Sequence, residues 1–225
     1  MISIPSAPPW FSEKLARNAL EAGCVLNDEQ IKLLRLHAEW VFFWNRVTNL
    51  TAVETWEDLI FKHYLDAIIP ACRWLPRVGR VLDIGSGAGF PGIPIKIFSP
   101  ELDVTLCELR RRKASFLKSF IAYAGLKNIR VEQLKWQEAI KQESEKFDLV
   151  TVRALKLEHK EIEGLFREGL KDGGVIACWS TPHLAEKSLS RGILEYEWEK
   201  SITTDLLFYS LPGGIERVVV LFKKR

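Results

Sequence analysis

Hydrophobic residues recur at two different periods along the chain, and the change falls near Pro76. Up to that point, apolar side chains return every three or four residues, which is the spacing of one face of an amphipathic helix. Asn27 and Thr55 each stand just before such a run, where a helix N-cap is favoured. The pattern predicts helices over residues 11–75, which together form an N-terminal helical cap spanning residues 1–76.

Beyond Pro76, short runs rich in β-branched and aromatic residues alternate with amphipathic stretches. Five of these runs are typical of strands: residues 80–84, 103–107, 129–134, 147–152 and 175–179. Because helical patterns lie between most of them, the alternation predicts a mostly parallel, Rossmann-like α/β sheet with helices on both faces. Such sheets bind ligands at the carboxyl ends of their strands. Residues 77–225 are predicted to form this domain, with functional residues just after each strand.

The C-terminal tail has a different pattern. Residues 194–202 and 218–222 are strand-like, and no long helix is predicted between them. Leu211, Pro212, Gly213 and Gly214 favour a turn in this interval. We therefore expect an antiparallel hairpin that closes one edge of the sheet.

The composition of the chain limits which kinds of partner it can bind. The 225 residues carry 32 Lys and Arg against 29 Asp and Glu, a net charge of +3, so a nucleic-acid surface must come from local clustering. Charged residues interrupt every apolar stretch before the about 18 residues that a membrane span needs, and nothing resembles a secretory signal. We expect a cytoplasmic protein with no membrane partner. No metal is expected, because the cysteines lack the close spacing of a zinc site or redox dithiol: Cys24, Cys72, Cys107 and Cys178.

A glycine-rich turn follows the first predicted strand. Gly85, Gly87 and Gly89 come directly after a buried-type run, and an apolar helix is predicted to start near Pro91. Glycines let the backbone turn sharply and approach a ligand, while the helix N-terminus offers free amides. The order of strand, glycines and helix favours a nucleotide-type cofactor over an ordinary turn.

Three further residues limit which cofactor the turn can bind. Glu108 lies about twenty residues on, at the end of the next strand, where an acid binds ribose hydroxyls. A dinucleotide fingerprint would need its third glycine at position 90, where Phe90 stands instead. Asp83 precedes the turn and is suited to hold the methionine end of a cofactor, directly or through water, near a sulfonium. These residues favour S-adenosylmethionine over a nicotinamide dinucleotide.

Four motifs, taken in chain order, resemble one known family. They are NLTA at residues 49–52, KHYLD at 62–66, DIGSGAGFPGIP at 83–94 and VRA at 152–154. This order resembles the ribosomal RNA small-subunit guanine-N7 methyltransferases, the RsmG or glucose-inhibited division protein B family. The extension of the glycine turn by FPGIP is far more specific than the glycines themselves.

The resemblance implies methyl transfer from S-adenosylmethionine to guanine N7 in small-subunit ribosomal RNA, free or in a ribosomal particle. It implies cofactor contacts by Gly85 and Phe90, ribose binding by Glu108, and a place for Arg153 beside cofactor and target base. Two departures concern other sites. The adenine position has Trp136 and Gln137 where the family has a small or aliphatic residue and then an acid. The family lysine near Trp179 is absent, with His183 or Lys187 as its substitute.

Guanine N7 needs no general base, because its in-plane lone pair carries no proton near neutral pH. Positioning should then dominate catalysis, and Arg153, after the fourth strand, is the candidate for it. His63 is interpreted as a residue that orders the cap against the sheet or contacts RNA, not as a base. The sequence lacks the Asn/Asp-Pro-Pro-aromatic run typical of amino-group methyltransferases and a Pro-Cys nucleophile pair.

A local basic run predicts where RNA binds. The candidate contacts are Lys62, His63, Arg110, Arg111, Arg112, Lys113 and Arg217. A solvated helix face is the alternative interpretation of the run at 110–113. Three other functions stay open: a methyltransferase acting on a small molecule or protein, a nicotinamide-dependent oxidoreductase, and a non-catalytic RNA-binding subunit. No oligomer is implied.

Overall fold

The computed structural model describes residues 3–188 and 202–224. Its N-terminal part is helical, as predicted. The helices of this part are α1 (Trp10–Glu21), α2 (Asp28–Thr48), α3 (Trp56–Leu59) and α4 (Asp66–Arg73), with a π-helical turn at Ile60–Leu65 that joins α3 to α4. Within the described ranges, no helix combines the length and the apolar character that crossing a bilayer requires.

Both predicted helix starts are N-capped by their own side chains. Asn27 Oδ1 accepts a hydrogen bond from the Gln30 amide at 2.8 Å, and Gln30 Oε1 accepts from the Asn27 amide at 2.9 Å, which forms a reciprocal capping box. Thr55 Oγ1 accepts from the Asp58 amide at 3.0 Å. Polar side chains therefore satisfy amides that the first helical turns leave without intrahelical partners.

Within the described residues that follow, the strands form one seven-stranded sheet with the order β3-β2-β1-β4-β5-β7-β6. Its strands are β1 (Gly79–Ile84), β2 (Leu102–Cys107), β3 (Ile129–Glu132), β4 (Phe147–Arg153), β5 (Leu170–Ser180), β6 (Ile202–Leu211) and β7 (Ile215–Lys224). The first five run parallel, and β7 is antiparallel to both β5 and β6. The predicted fold class is confirmed.

In the part of the chain that the structure describes, five further helices cover the sheet: α5 (Gly92–Phe98), α6 (Arg111–Ala124), α7 (Trp136–Gln142), α8 (His159–Gly164) and α9 (Pro182–Ser188). A second π-helical turn, Leu165–Gly169, follows α8.

Hydrophobic side chains pack on both faces of the sheet. In β1, Val81 belongs to a core that also contains Phe11 and Leu34 of the helical cap, whereas Leu82 belongs to a second core on the opposite face. Successive side chains of a strand alternate between faces, so near-continuous apolar runs are needed when both faces are covered. The first core includes residues from both sides of the predicted boundary at residues 76 and 77, and that division stays a prediction.

The C-terminal hairpin forms with a different first strand from the one expected. The strand before the turn is Ile202–Leu211, and it pairs with β7 from Leu211 opposite Ile215 onwards. Of the predicted strand at residues 194–202, only Ile202 lies within the described residues. Strand β3 also ends at Glu132, before the predicted limit at residue 134.

Strand β5 is longer than predicted, because it begins at Leu170 and not near residue 175. Its polar, glycine-containing start hides the strand pattern, since Gly173 has a φ of +79° and the pairing with β4 shifts register between Phe147 and Leu149. An irregularity of this kind breaks the apolar alternation by which strands are identified.

Candidate functional site

The glycine turn connects β1 to α5 through left-handed backbone. The φ angles of Gly85, Gly87 and Gly89 are +73°, +58° and +87°, a region that L side chains rarely adopt. At Gly89 packing adds a second constraint, because a Cβ there would lie 2.4 Å from Cδ1 of Ile93. Gly85 is less crowded, with Leu155 Cδ2 at 3.8 Å from such a Cβ. The turn therefore depends on glycine for its backbone path.

Glu108 binds this turn from the end of β2. Its Oε2 accepts a hydrogen bond from the Gly87 amide at 2.9 Å, and its Oε1 accepts from the Arg110 amide at 2.8 Å. The residue is only 7% exposed. Each carboxylate oxygen has a second lone pair, so two hydroxyl donors can still bind. The backbone thus fixes the carboxylate before any ligand arrives.

A cavity of about 720 Å³ lies at the carboxyl ends of β1 to β4, in the size range of cofactor sites. It is the cofactor cavity of the following sections. The structure brings together there most of the predicted cofactor-binding residues: Gly85, Gly87, Phe90, Glu108, Trp136, Gln137 and Arg153. His63, Arg110 and Lys113 line it as well.

Two predicted cofactor residues, Asp83 and Gly89, do not line this cavity. Asp83 is fully buried beneath the turn, where its Oδ1 accepts a hydrogen bond from Thr151 Oγ1 at 2.8 Å. Burial raises the pKa of Asp83 to about 6, and the hydrogen bond from Thr151 opposes this shift. A Cβ on Gly92 would lie 2.7 Å from Asp83 Oδ2, so the start of α5 packs directly on the carboxyl group. In this geometry Asp83 supports the turn from below.

His37 holds the turn from the side of the cap and was not anticipated. Its Nε2 lies 3.0 Å from the Ala88 carbonyl oxygen, and its Nδ1 lies 3.0 Å from the Tyr64 hydroxyl. Because a carbonyl only accepts, Nε2 carries the proton and Nδ1 accepts from Tyr64. Burial lowers the pKa of His37 to about 3. The signal in the sequence was a histidine on the apolar face of α2, next to Leu34 and Ala38.

Arg153 leaves the end of β4 and is held by three groups of the cap. One guanidinium nitrogen, Nη2, lies 2.9 Å from Asp66 Oδ2 and also donates to the Lys62 carbonyl oxygen. Nη1 donates to His63 Nδ1 at 3.1 Å. The side chain is 17% exposed. Its guanidinium is therefore oriented before any ligand binds.

The bond from Arg153 fixes the state of His63. A guanidinium only donates, so Nδ1 of His63 accepts and its single proton lies on Nε2. Burial, followed by the charge of Arg153, lowers the pKa of His63 to about 3. Its ring packs on Phe90, with centroids 4.6 Å apart. His63 is a neutral donor near pH 7, which agrees with its interpretation as an ordering residue.

Asp66 is the second functional residue without an assigned role in the sequence analysis. Its carboxylate accepts a hydrogen bond from the Tyr209 hydroxyl at 2.6 Å and lies 3.6 Å from Nε of Arg217. Trp179 Nε1 donates to its carbonyl oxygen at 2.7 Å. Burial raises the pKa of Asp66, while the charge of Arg153 opposes that shift. In the sequence, its position as the last residue of the KHYLD motif was the indication that it has a role.

The predicted RNA contacts are divided among three places. Arg110 and Lys113 line the cofactor cavity, where Lys113 Nζ donates to the Leu50 carbonyl oxygen at 3.0 Å. Arg111 and Arg112 line a separate groove between the end of α2 and the start of α6. His63 also lines the cofactor cavity, whereas Lys62 and Arg217 bind acids of the cap: Lys62 pairs with Asp58 at 2.7 Å, and Arg217 with Asp66.

The two departures from the family pattern lie on different helices. Trp136 and Gln137 begin α7 and line the cofactor cavity. His183, on α9, is exposed, and the side chain of Lys187 lies outside the described residues.

The family model described as GidB, rRNA small subunit methyltransferase G, matches residues 30–188. The chain belongs to this family. A ribosomal RNA small subunit methyltransferase G of Syntrophobacter fumaroxidans is 38% identical over 161 residues, which cover 70% of this chain and 73% of that protein. A second one, from Streptococcus sanguinis, is 30% identical over 226 residues and covers 97% of this chain and 91% of its own length.

Solved methyltransferases share the fold at low sequence identity. A Klebsiella pneumoniae protein assigned as an O-methyltransferase aligns with a TM-score of 0.59 at 13% identity, over 94% of this chain and 96% of its own. An rRNA methylase from Streptococcus thermophilus aligns with a TM-score of 0.50 at 14% identity, over 68% and 91%. Family membership confirms the predicted methyltransferase activity and S-adenosylmethionine as the methyl donor. It does not support the oxidoreductase and non-catalytic alternatives.

Proposed function

We propose that the protein methylates N7 of a guanine in small-subunit ribosomal RNA, using S-adenosylmethionine, in the cytoplasm. The observation that carries the choice of acceptor atom is the state of His63. This histidine lines the cofactor cavity, yet its Nδ1 accepts from Arg153 and its Nε2 carries a proton. It has no free lone pair with which to remove a proton, and guanine N7 has no proton to lose.

The residues of the cavity fit the cofactor. The carboxylate of Glu108 is held by two amides and keeps lone pairs for two ribose hydroxyls. Trp136 and Gln137 line the side expected to receive adenine, and Gly85 allows the backbone to approach the ligand. When bound, the cofactor supplies an electrophilic methyl group on a sulfonium.

The contribution of this chain to catalysis is then orientation. Arg153 is fixed by Asp66, His63 and the Lys62 carbonyl, at the end of the strand beside the cavity. A preorganised side chain of this kind costs little entropy when a substrate docks, and alignment of reacting groups lowers a barrier substantially. No proton transfer by the protein is required.

Basic side chains near the cavity support an RNA substrate. Arg110 and Lys113 are on its rim, and Arg111 and Arg112 continue the positive surface along α6, whose first turn has no acidic residue. Cations at a helix N-terminus oppose the helix dipole, so their presence favours a role in binding anions such as RNA phosphates. The proposed substrate is ribosomal RNA, either free or in a ribosomal particle.

The test is a transfer assay with methyl-labelled S-adenosylmethionine. Small-subunit ribosomal RNA, alone and as particles, is incubated with the protein, digested, and analysed for labelled nucleosides by mass spectrometry. We expect the label in 7-methylguanosine, and a Glu108→Ala variant serves as the cofactor-deficient control. Label in another nucleoside would contradict the N7 assignment. Label only in proteins or small molecules would favour the other methyltransferase function.

A further inference from the structure

Two cysteines lie side by side in the helical cap, although they are distant in the sequence. Cys24 is in the loop between α1 and α2, and Cys72 is in the last turn of α4. The thiol of Cys72 donates to the Gly23 carbonyl oxygen at 3.6 Å, and the two thiols are within hydrogen-bonding reach of each other. Packing thus creates a dithiol that the spacing of the cysteines along the chain does not indicate.

Further contacts hold the loop of Cys24 on the end of α4. Arg73 Nη2 donates to the Ala22 carbonyl oxygen at 2.9 Å, and the Cys24 amide donates to the Ala19 carbonyl oxygen at 2.8 Å. Gly23 has a φ of +81°, which lets the chain turn at this point. Because the loop and the helix are both fixed, a bond between the two sulfurs requires little movement of the backbone.

The two thiols differ in access and in their charged neighbours. Cys24 is fully buried, and burial, followed by its contact with Cys72, raises the pKa of Cys24 to about 12. Cys72 is partly exposed, and Nη2 of Arg77 lies 4.0 Å from its sulfur. A guanidinium in this place stabilises negative charge on sulfur, and the anionic sulfur is the form that attacks oxidants. An oxidant therefore meets Cys72 first, and Cys24 lies beside it as the second thiol.

We propose that Cys24 and Cys72 are a site of reversible oxidation by peroxides, which closes a disulfide between the α1–α2 loop and α4. The Cys72 sulfur attacks hydrogen peroxide, so that a sulfur–oxygen bond forms, the oxygen–oxygen bond breaks and one water leaves. The Cys24 sulfur then attacks the resulting sulfenic acid of Cys72. A sulfur–sulfur bond forms, and the hydroxyl group leaves with the Cys24 proton as a second water.

The electron balance of these steps needs only the peroxide. The two sulfurs together lose two electrons, which the peroxide takes up, and a dithiol reductant restores both thiols by exchange. Neither cysteine lines the cofactor cavity, so this site is independent of the proposed function.

Cys107 and Cys178 provide an internal reference for this chemistry. Both belong to the core on the opposite face of the sheet, and strands β1 and β4 separate β2 from β5. Three strand spacings amount to about 14 Å, whereas a disulfide needs Cα atoms within about 7 Å of each other. Burial raises the pKa of each of these thiols to about 12. We therefore expect them to react later than Cys72 and not to pair with each other.

The first test is oxidation of the folded protein. Reduced protein, freed of reductant, is titrated with hydrogen peroxide, its remaining thiols are alkylated, and tryptic peptides are identified by mass spectrometry without reduction. We expect peptides 18–32 and 63–73 to be joined at a peroxide concentration about tenfold below that which oxidises Cys107 or Cys178. Dithiothreitol should separate them. If these peptides are not joined, or are joined only when the protein is oxidised in denaturant, the proposal is wrong.

A sulfenic acid trap establishes the order of the steps. In Cys24→Ala the oxidised Cys72 has no partner, so dimedone, which reacts with sulfenic acids, should label Cys72. Dimedone present during oxidation of the wild type should also label Cys72 and lower the yield of joined peptides, which tests the same step without a substitution. Cys178→Ala is the matched control and should form the disulfide as the wild type does. Absence of label on Cys72 in both proteins would overturn its role as the attacking thiol.

Thermal unfolding tests whether the disulfide fits the native cap. A cross-link between residues 24 and 72 restricts the unfolded chain, and we expect oxidation to raise the Tm of the wild type by about 5 °C or more. Dithiothreitol should reverse this rise, and Cys72→Ala should show none. An unchanged or lowered Tm of the oxidised wild type would show that the bond forms only by distorting the fold, and would contradict the proposal.

Discussion

Replacing Glu108 by alanine tests the cofactor cavity, because this carboxylate contacts both the turn and the ligand space. Its oxygens accept from the amides of Gly87 at 2.9 Å and Arg110 at 2.8 Å, which leaves lone pairs for two ribose hydroxyls. A hydrogen bond to a charged group contributes about 1.5–3 kcal/mol. Because water can replace part of this, we expect a loss of about 1–3 kcal/mol, or roughly 5- to 150-fold weaker binding.

The assay is calorimetric titration with S-adenosylhomocysteine, accompanied by thermal unfolding of each variant. Glu138→Ala is the matched control, since it removes the same charge from an exposed position of α7 near the cavity. Glu108→Gln is informative as well, because its amide nitrogen would face a backbone N–H of Gly87 or Arg110 and cannot accept from it. If folded Glu108→Ala binds as tightly as wild type, the ribose does not bind at Glu108.

Three further outcomes are expected. The single-turnover rate of methylation at saturating substrates should fall about a hundredfold in Arg153→Ala, because the orienting side chain is lost. In His63→Gln the rate should stay within about tenfold of wild type. If the wild-type rate titrates near pH 6.5 and His63→Gln removes this titration, the base-free mechanism is refuted. The free energy of unfolding should fall as the pH drops from about 6 to 4.5, because His37 and His63, with pKa values lowered to about 3, each bind a proton only when unfolded. The buried carboxyls of Asp83 and Asp66, whose pKa values are raised, oppose part of this loss. Denaturant titrations across this pH range should show the fall in the free energy of unfolding, and the fall should be smaller for His63→Gln; a wild-type stability that does not change with pH would contradict the reasoning. Reversing the charge of Arg111 and Arg112 should reduce the salt dependence of RNA binding, measured by anisotropy, by about 0.7–0.9 in log–log slope per lost phosphate contact; an unchanged slope would make their groove a solvated face.

Local features of the site were predictable because short stretches of chain determine them. The glycine turn needs left-handed backbone at three alternate residues, which the glycines supply. Glu108 follows β2, and because β2 pairs with β1 in parallel, its end must lie beside the end of β1. The helix starts at Asn27 and Thr55 are equally local, since a side chain caps an amide three residues away. Spacing in the sequence is sufficient to infer contacts of this kind.

Contacts between distant segments were not predictable in the same way. His37 reaches the Ala88 carbonyl, 51 residues further along the chain, and Asp66 accepts from Tyr209, which is 143 residues away. Asp83 has the residue type of a ligand contact, yet Thr151 and the start of α5 enclose it. Tertiary packing, and not residue type, decides which polar groups remain accessible.

Asp66 contacts residues from four strands, which could otherwise be substituted independently of one another during evolution. Its side chain and carbonyl oxygen bind Arg153 of β4, Trp179 of β5, Tyr209 of β6 and Arg217 of β7. Substitutions at residues that share one partner are not additive in their effect on stability. A substitution at one of these five positions therefore changes which residues are tolerated at the other four. Homologous proteins should carry substitutions at these positions in combinations that compensate for one another. Through this epistasis, a single carboxylate in the cap constrains the evolution of four strands.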